Sequence, residues 1–298
     1  MEYHYDVIIL GAGPAGLSAG IYTARYALST LIISKDVGGM ANLAPKIENY
    51  PGYEGSGMEL MKKFYEQAKK AGAKFLSEEI MDIEKDDNGF IISTKKKKIH
   101  TKTIIFSLGT EKRKLGIGEE KFIGKGISYC ATCDGSFFRN KKTLVIGGSD
   151  SAALAALELA GYSDVRIVYR GDKLRCEDVN LERIKKNKKI KIIYNALPLA
   201  IKGKKKVEKL VVKEKGKKRE IKTDGIFIEI GAIPSTTLAK KLNVELDEEY
   251  IRVNHEMETN IKGIFAAGDA VKSKLKQVVL SAAQGAKAAK SAYDYLKK

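Results

Sequence analysis

The sequence predicts an α/β chain with two Rossmann-like units, because two glycine-rich turns each follow an apolar run and precede an alanine-rich helical pattern. A third observation is the pair of cysteines in Cys130-Ala131-Thr132-Cys133-Asp134, just ahead of the second unit. At 298 residues the chain is long enough for two domains with separate cores.

In the first unit Tyr5 to Leu10 reads as a buried parallel strand, Gly11-Ala12-Gly13-Pro14-Ala15-Gly16 as the turn, Leu17 to Ala27 as the helix and Thr30 to Ile33 as the next strand. Each glycine has its own task. Gly11 permits the tight turn, Gly13 lets a pyrophosphate approach the backbone, and Gly16 allows helix and strand to pack closely. Amides at the helix start then face the phosphates. A lone G-x-G-x-x-G is a weak signal, but here strand, turn, helix and strand follow in the required order. The acid expected near the end of the second strand for an adenosine ribose is missing, and Ser34-Lys35 stands there instead, so FAD is favoured over NAD.

Near the other end, Thr259 to Asp269 reads as a turn feeding an apolar strand that closes on Gly268-Asp269. That strand would bring the Asp269 carboxylate to the carboxyl edge of a parallel sheet, where it could accept hydrogen bonds from ribityl hydroxyls, with Gly268 leaving room for close approach. The alternative is an aspartate that caps the helix after it.

Two thiols separated by two residues can close a small reversible disulfide. The same spacing serves zinc, but a structural site needs four ligands, and the chain offers only Cys176 and the scattered His4, His100 and His255. Two ordinary buried cysteines are the remaining alternative, set against the nucleotide-type context on both sides.

The second unit is Lys142 to Ile146, then Gly147-Gly148-Ser149-Asp150-Ser151-Ala152, a helix from Ala153 to about Ala160, and a strand at Val165 to Tyr169. Ser149 replaces the glycine that normally gives the closest pyrophosphate approach. Past the strand, Arg170 and Arg175 in Tyr169-Arg170-Gly171-Asp172-Lys173-Leu174-Arg175 could grip a ribose 2′-phosphate, against the alternative of a solvated basic loop.

With these residues in view, the chain resembles the low-molecular-weight thioredoxin reductases of the bacterial and archaeal type, FAD-dependent pyridine nucleotide-disulfide oxidoreductases. The resemblance runs over nearly the whole length, from the first glycine turn through Glu48-Asn49-Tyr50-Pro51-Gly52 and Cys130-Ala131-Thr132-Cys133-Asp134-Gly135 to Gly268-Asp269. Departures are Ser149 in the second turn, and Tyr169 and Gly171 where that family's NADPH loop often has histidine and arginine.

The resemblance implies a discontinuous FAD-binding domain, residues 1–112 and 236–298, with an NAD(P)H-binding domain inserted at 113–235. Thr110 to Lys114 and Gly231 to Ser235 are the expected crossings, both able to act as hinges. It further implies that Gly38, Gly39, Met40, Asn49, Gly109, Gln277 and Val278 join Gly11, Gly13, Pro14, Ala15, Gly16, Ser34, Gly268 and Asp269 around FAD. Their plainer roles are turn glycines and helix capping. Gly147, Gly148, Ser149, Asp150, Ser151, Arg170 and Arg175 would hold NADPH or NADH, with NADPH preferred.

Electrons are then expected to pass from the nicotinamide nucleotide through FAD to the Cys130/Cys133 disulfide, and on to thioredoxin or a glutaredoxin-like protein. Cys133 would face the flavin, Cys130 would attack the partner, and Asp134 would serve as acid and base. One small site would host two partners in turn, which the resemblance assigns to rotation of the inserted domain. A homodimer is also implied. Two rival functions compete: an FAD-dependent dithiol oxidase that passes electrons to oxygen, and a non-catalytic redox-signalling flavoprotein. Arg170 and Arg175 speak against the first, and negligible turnover with any donor would mark the second.

No apolar stretch reaches transmembrane length, and Met1 leads almost directly into the first strand, so a cytoplasmic location is expected. Three cysteines argue against a structural disulfide framework. The formal charge of +17 comes largely from lysine runs at Lys95 to Lys98, Lys202 to Lys206 and Lys213 to Lys218. The first and last read as hairpins or strand edges, where lysine discourages edge pairing. Nucleic-acid binding is disfavoured because no aromatics interleave and no binding motif accompanies the runs. Lysine and glutamate richness with three glutamines is a composition seen in heat-adapted proteins. Cys176 has no nearby cysteine and reads as incidental, with oxidation there able to hinder nucleotide entry.

Overall fold

The computed structural model describes residues 3–44 and 46–298; Met1, on which the reading of the amino terminus rests, lies outside them. The chain forms two compact units, Met1–Glu111 with Ile233–Lys298, and Lys112–Ala232.

The first unit is organised on β1 (Tyr3–Ala12), whose Val7, Ile8, Ile9 and Leu10 are buried on both faces, as a parallel strand between two layers requires. α1 (Pro14–Arg25) starts on proline, whose fixed φ suits the first helical turn. It stops short of the expected Ala27, which turns left-handed at φ 59°. β2 (Thr30–Val37) lies parallel to β1 and runs beyond the expected Ile33, through a register shift opposite Leu10/Ala12. The longer strand corrects one expectation: an acid, Asp36, does stand near its end, exposed to solvent.

A ribbon of β3 (Ile47–Tyr50) and β4 (Tyr53–Gly55) leads to α2 (Gly57–Ala71). Ser56 caps this helix by accepting from the Glu59 amide at 3.2 Å, and Gly72 closes it at φ 109°. β5 (Lys74–Leu76) joins β2 in parallel. β6 (Ile80–Asp86), β7 (Gly89–Thr94) and β8 (Lys98–Phe106) form an antiparallel meander, and the Lys95 to Lys98 run makes the hairpin between the last two. The order β5-β2-β1-β8-β7-β6 reverses direction at β1, which opens a crevice at its carboxyl edge.

β9 (Thr110–Lys112) leads into the second unit. There β10 (Ile127–Ser128) and α3 (Ala131–Asp134) precede β11 (Lys142–Ile146), α4 (Asp150–Leu159), β12 (Asp164–Val168), α5 (Asp178–Lys186) and β13 (Ile190–Ile193). α4 begins at Asp150 rather than Ala153, because Ser149 already holds the capping backbone conformation. β14 (Ala196–Lys202), β15 (Lys209–Glu214) and β16 (Lys217–Lys222) form an antiparallel sheet, with Lys215-Gly216 as its tight turn inside the third lysine run. β17 (Gly225–Ile228) returns to complete the parallel order β10-β17-β11-β12-β13. Val145, Ile167 and Phe227 pack under the alanines of α4, while Leu144, Ile146 and Ile228 pack against Leu210, Val212 and Ile221 of the antiparallel sheet.

β18 (Ala232–Pro234) pairs with β9 as the chain leaves this unit. α6 (Thr237–Lys241) and the small pair β19 (Leu246–Asp247) and β20 (Tyr250–Ile251) follow. β21 (Ile264–Ala266) lies parallel to the last residues of β8, and α7 (Val278–Lys297) packs along α1. Among the described residues no helix is long and apolar enough to cross a membrane.

Candidate redox and nucleotide sites

The first unit gathers its candidate residues at the carboxyl edge of β1. Gly11 has φ 103°, and a Cβ there would lie 2.4 Å from the Ser107 carbonyl oxygen. A Cβ on Gly16 would fall 1.9 Å from the Gly11 carbonyl oxygen, so α1 rests directly on the turn. Gly13 and Gly109 differ: a Cβ on either meets nothing within 4 Å, so both backbones face open space. Gly38 and Gly39 are left-handed, at φ 97° and 53°. The Gly38 amide donates to the Ala12 carbonyl at 2.7 Å, which lays Gly39 beside Gly13 and leads into the 3₁₀ turn with half-buried Met40. Pro14 and Ala15 open α1, and Ser34 sits half-buried within β2.

Gly268-Asp269 arrives at the same edge from β21. Gly268 has φ 79°, and a Cβ there would come 2.9 Å from the Ala15 Cβ. Asp269 lies inside the 3₁₀ turn Gly268–Ala270 and the next helix, α7, has Gln277 as its N-cap, so Asp269 does not stand at a helix N-cap position. Its Oδ1 accepts from Ser281 Oγ at a long 3.4 Å, and its main-chain carbonyl accepts from Lys276 Nζ at 2.8 Å. Burial pushes the Asp269 carboxyl up, opposed by Lys276 and Ser281. Asn49 Nδ2 donates to Gln277 Oε1 at 3.2 Å, and Gln277 caps α7 with its backbone only, directly before Val278. Gly285 was not foreseen: a Cβ there would lie 2.0 Å from the Ala15 carbonyl oxygen, so it lets α7 close on the start of α1.

Open backbone at a helix start beside a partly buried carboxylate with one long bond suits the phosphates and hydroxyls of an adenine dinucleotide.

In the second unit Cys130 and Cys133 form a disulfide with Cα atoms 5.4 Å apart, and Cys176 is free. No group of three or more His, Cys, Asp or Glu placed to hold a metal occurs among the described residues. The Cys133 amide donates to Cys130 Sγ at 3.0 Å, so the turn offers a donor to charge developing on that sulfur. Ser128 Oγ accepts from the Cys130 amide at 2.9 Å and donates to the Cys130 carbonyl at 3.1 Å, pinning the strand end. Asp134 closes α3 half-buried, its amide donating to the Cys130 carbonyl at 3.2 Å. Sequence reasoning missed Glu158 of α4, which accepts from Thr132 Oγ at 2.9 Å and whose carboxyl is pushed up by burial.

The second glycine turn sits at the carboxyl edge of β11. Gly147, at φ 153°, would place a Cβ 2.1 Å from the Glu229 carbonyl oxygen. Ser149 precedes α4, with its hydroxyl 3.4 Å from that of Ser151. Asp150 is occupied within the protein, its Oδ1 accepting from the Glu177 amide at 2.8 Å and Asn180 Nδ2 at 3.0 Å. Glu229, also unforeseen, is 6% exposed and bonds Lys112 Nζ at 2.6 Å. Burial raises its carboxyl, while Lys112 and Ser151 pull it down.

A recess of about 500 Å³ opens beside this turn, lined by Asp172, Lys173, Arg175, Cys176 and Asp178 among others. Arg175 is brought to it, its amide donating to the Gly148 carbonyl at 2.6 Å; Arg170 is exposed and not on the lining. The Cys176 thiol is raised by burial and by Asp150, which keeps it from ionising readily.

The model of the pyridine nucleotide-disulphide oxidoreductase family matches residues 5–285. Thioredoxin reductase of Treponema pallidum is 43% identical over 304 residues, covering 99% of this chain and 98% of that one. The Bacillus subtilis thioredoxin reductase is 40% identical, covering 99% and 96%. The crystal structures of the Lactococcus lactis and T. acidophilum thioredoxin reductases each superpose with a TM-score of 0.95 at 39% identity, covering 98% and 100% of this chain and 99% and 100% of theirs. With two parallel-sheet units, two glycine turns and a C-x-x-C disulfide in the second, the chain belongs to the pyridine nucleotide-disulphide oxidoreductases, on their low-molecular-weight thioredoxin reductase branch.

Proposed function

We propose that the protein is a thioredoxin-disulfide reductase that takes electrons from a reduced nicotinamide nucleotide and delivers them through the Cys130/Cys133 pair to thioredoxin or a glutaredoxin-like protein. The observation that carries this reading is the Cys130–Cys133 disulfide in the same unit as the second glycine turn. FAD would lie at the first glycine turn, between the open Gly13 backbone and Asp269, with Gly38, Gly39, Met40, Gly109, Asn49, Gln277 and Val278 around it. When bound, FAD supplies the means to accept a hydride's two electrons and release them to a disulfide.

The residues of the chain handle the thiol steps. Reduction of the Cys130–Cys133 bond by two electrons and two protons leaves both sulfurs as thiols, and Cys130 attacks as the thiolate, favoured by the Cys133 amide. Its sulfur attacks one sulfur of the partner disulfide, and the partner's other sulfur leaves and takes a proton. Cys133 then displaces the partner from Cys130, which re-forms the internal disulfide and releases the partner as a dithiol. Asp134 is the group assigned to carry those protons.

The inserted unit would bind the donor through Gly147, Gly148, Ser149, Ser151, Arg170 and Arg175, with Asp150 bracing α4 against α5. The two arginines favour NADPH, with reduced discrimination over NADH. The family resemblance supports a cytoplasmic homodimer.

Anaerobic titration of the purified protein with NADPH, NADH and a dithiol, followed at the flavin band, tests this reading. Bleaching by a nucleotide and onward reduction of thioredoxin are expected. A flavin that responds only to dithiol and oxygen would favour the oxidase, and no turnover with any donor would favour the signalling role.

A further inference from the structure

Tyr169 stands just past β12, where the chain turns toward the recess, and the residue is 9% exposed. Gly148 and Gly171 flank it. A Cβ on Gly148 would lie 2.4 Å from the ring's Cδ2 and Cε2, and one on Gly171 would lie 2.7 Å from Cε1 and 3.0 Å from Cζ. The two glycines therefore hold opposite edges of one ring. The loop is closed over the turn by the Arg175 amide on the Gly148 carbonyl at 2.6 Å, and by the Asn195 amide on the Gly171 carbonyl at 3.0 Å. A side chain growing from position 171 must therefore displace the ring from between the two glycines.

Tyr169 and Gly171 therefore share one space, in which a residue larger than glycine at 171 meets the ring. We propose that Tyr169 and Gly171 are a sterically matched pair that determines donor specificity: the ring occupies the space through which a side chain at 171 would extend, and so keeps a further cation out of the recess. The rim that remains carries Lys173 and Arg175 against Asp172 and Asp178, two charges of each sign. A balanced rim discriminates weakly between a ribose bearing a 2′-phosphate and one bearing a hydroxyl. The inference rests on the nicotinamide-nucleotide reading above. It also means that adding an arginine at 171 alone cannot restore a phosphate grip.

Four holoproteins test the pair: wild type, Gly171→Arg, Tyr169→Ala and the double variant. Gly171→Arg should lower Tm by about 2 to 10 °C as the ring is displaced, and in the Tyr169→Ala background the same change should cost about 1 °C or less. In flavin reduction, the NADPH/NADH ratio of kcat/KM should not rise in Gly171→Arg, but should rise about tenfold or more in the double variant relative to Tyr169→Ala. Equal losses of Tm in both backgrounds, or a ratio that rises fully in Gly171→Arg alone, would overturn the proposal. A double variant with an unchanged ratio would overturn the specificity role. A wild type whose flavin is reduced by a dithiol but by neither nucleotide refutes the donor reading instead, and the melts still decide whether ring and glycine are coupled.

Discussion

Replacing Asp269 separates a ligand-binding carboxylate from a structural one, because the two roles predict opposite signs. The carboxylate spends one oxygen on a long 3.4 Å contact with Ser281, which leaves the rest of its accepting capacity for ligand hydroxyls. One charge-assisted hydrogen bond contributes about 1.5 to 3 kcal/mol, so Asp269→Ala should weaken FAD binding roughly ten- to a hundredfold. Asp269→Asn, which keeps an accepting oxygen without the charge, should fall in between.

Without FAD the sign reverses. Burial raises the Asp269 carboxyl in the folded state, so its stabilising contribution is complete below the unfolded carboxyl's pKa and is lost as pH rises through the folded one. Where the carboxyl is ionised, its burial is a liability that Asp269→Asn removes. The assay is a fluorescence titration of FAD into flavin-depleted protein, paired with thermal melts of the depleted protein. Weaker FAD binding with equal or higher Tm at pH 8 is expected. Unchanged FAD affinity combined with a lower Tm would refute the ligand role.

Lys112→Met should leave the Glu229 carboxylate buried without its cation and cost about 3 to 5 kcal/mol at pH 8. Because burial already raises Glu229, this deficit should shrink as acid protonates it in both states, and a deficit independent of pH in denaturant melts would contradict the pairing. Gly285→Ala should separate α7 from α1, since the new methyl would lie 2.0 Å from the Ala15 carbonyl oxygen; a lower Tm and faster FAD loss are expected, and wild-type values for both would rule out the close approach.

Local chemistry was legible in the sequence. Glycine turns, their flanking strands and the C-x-x-C all lie within a few residues of one another, and Gly11, Gly16 and Cys130/Cys133 take up geometry that such spacing allows. The lysine runs at 95–98 and 213–218 could be placed on hairpins for the same reason. Contacts between distant segments were not legible. Asn49 meets Gln277 across 228 residues, and Glu229 meets Lys112 across 117, with no periodicity to join them. Gly285 looks like any glycine in a helix until Ala15 is packed against it. Asp36 escaped because a register shift carries β2 past the point where the apolar run ends. In the sequence Gly171 stands only as a departure from the resembled family's loop, and the ring of Tyr169 shows what occupies the space beside it.

The most direct test of the dithiol relay compares Cys130→Ser and Cys133→Ser with wild type in two reactions, anaerobic flavin reduction by the nucleotide and turnover of thioredoxin disulfide. Both variants should bind FAD and bleach with the donor, and both should lose thioredoxin reduction. Cys130→Ser alone should show long-wavelength charge-transfer absorbance, from a Cys133 thiolate against oxidised flavin. Full thioredoxin-reducing activity in either variant would contradict the account.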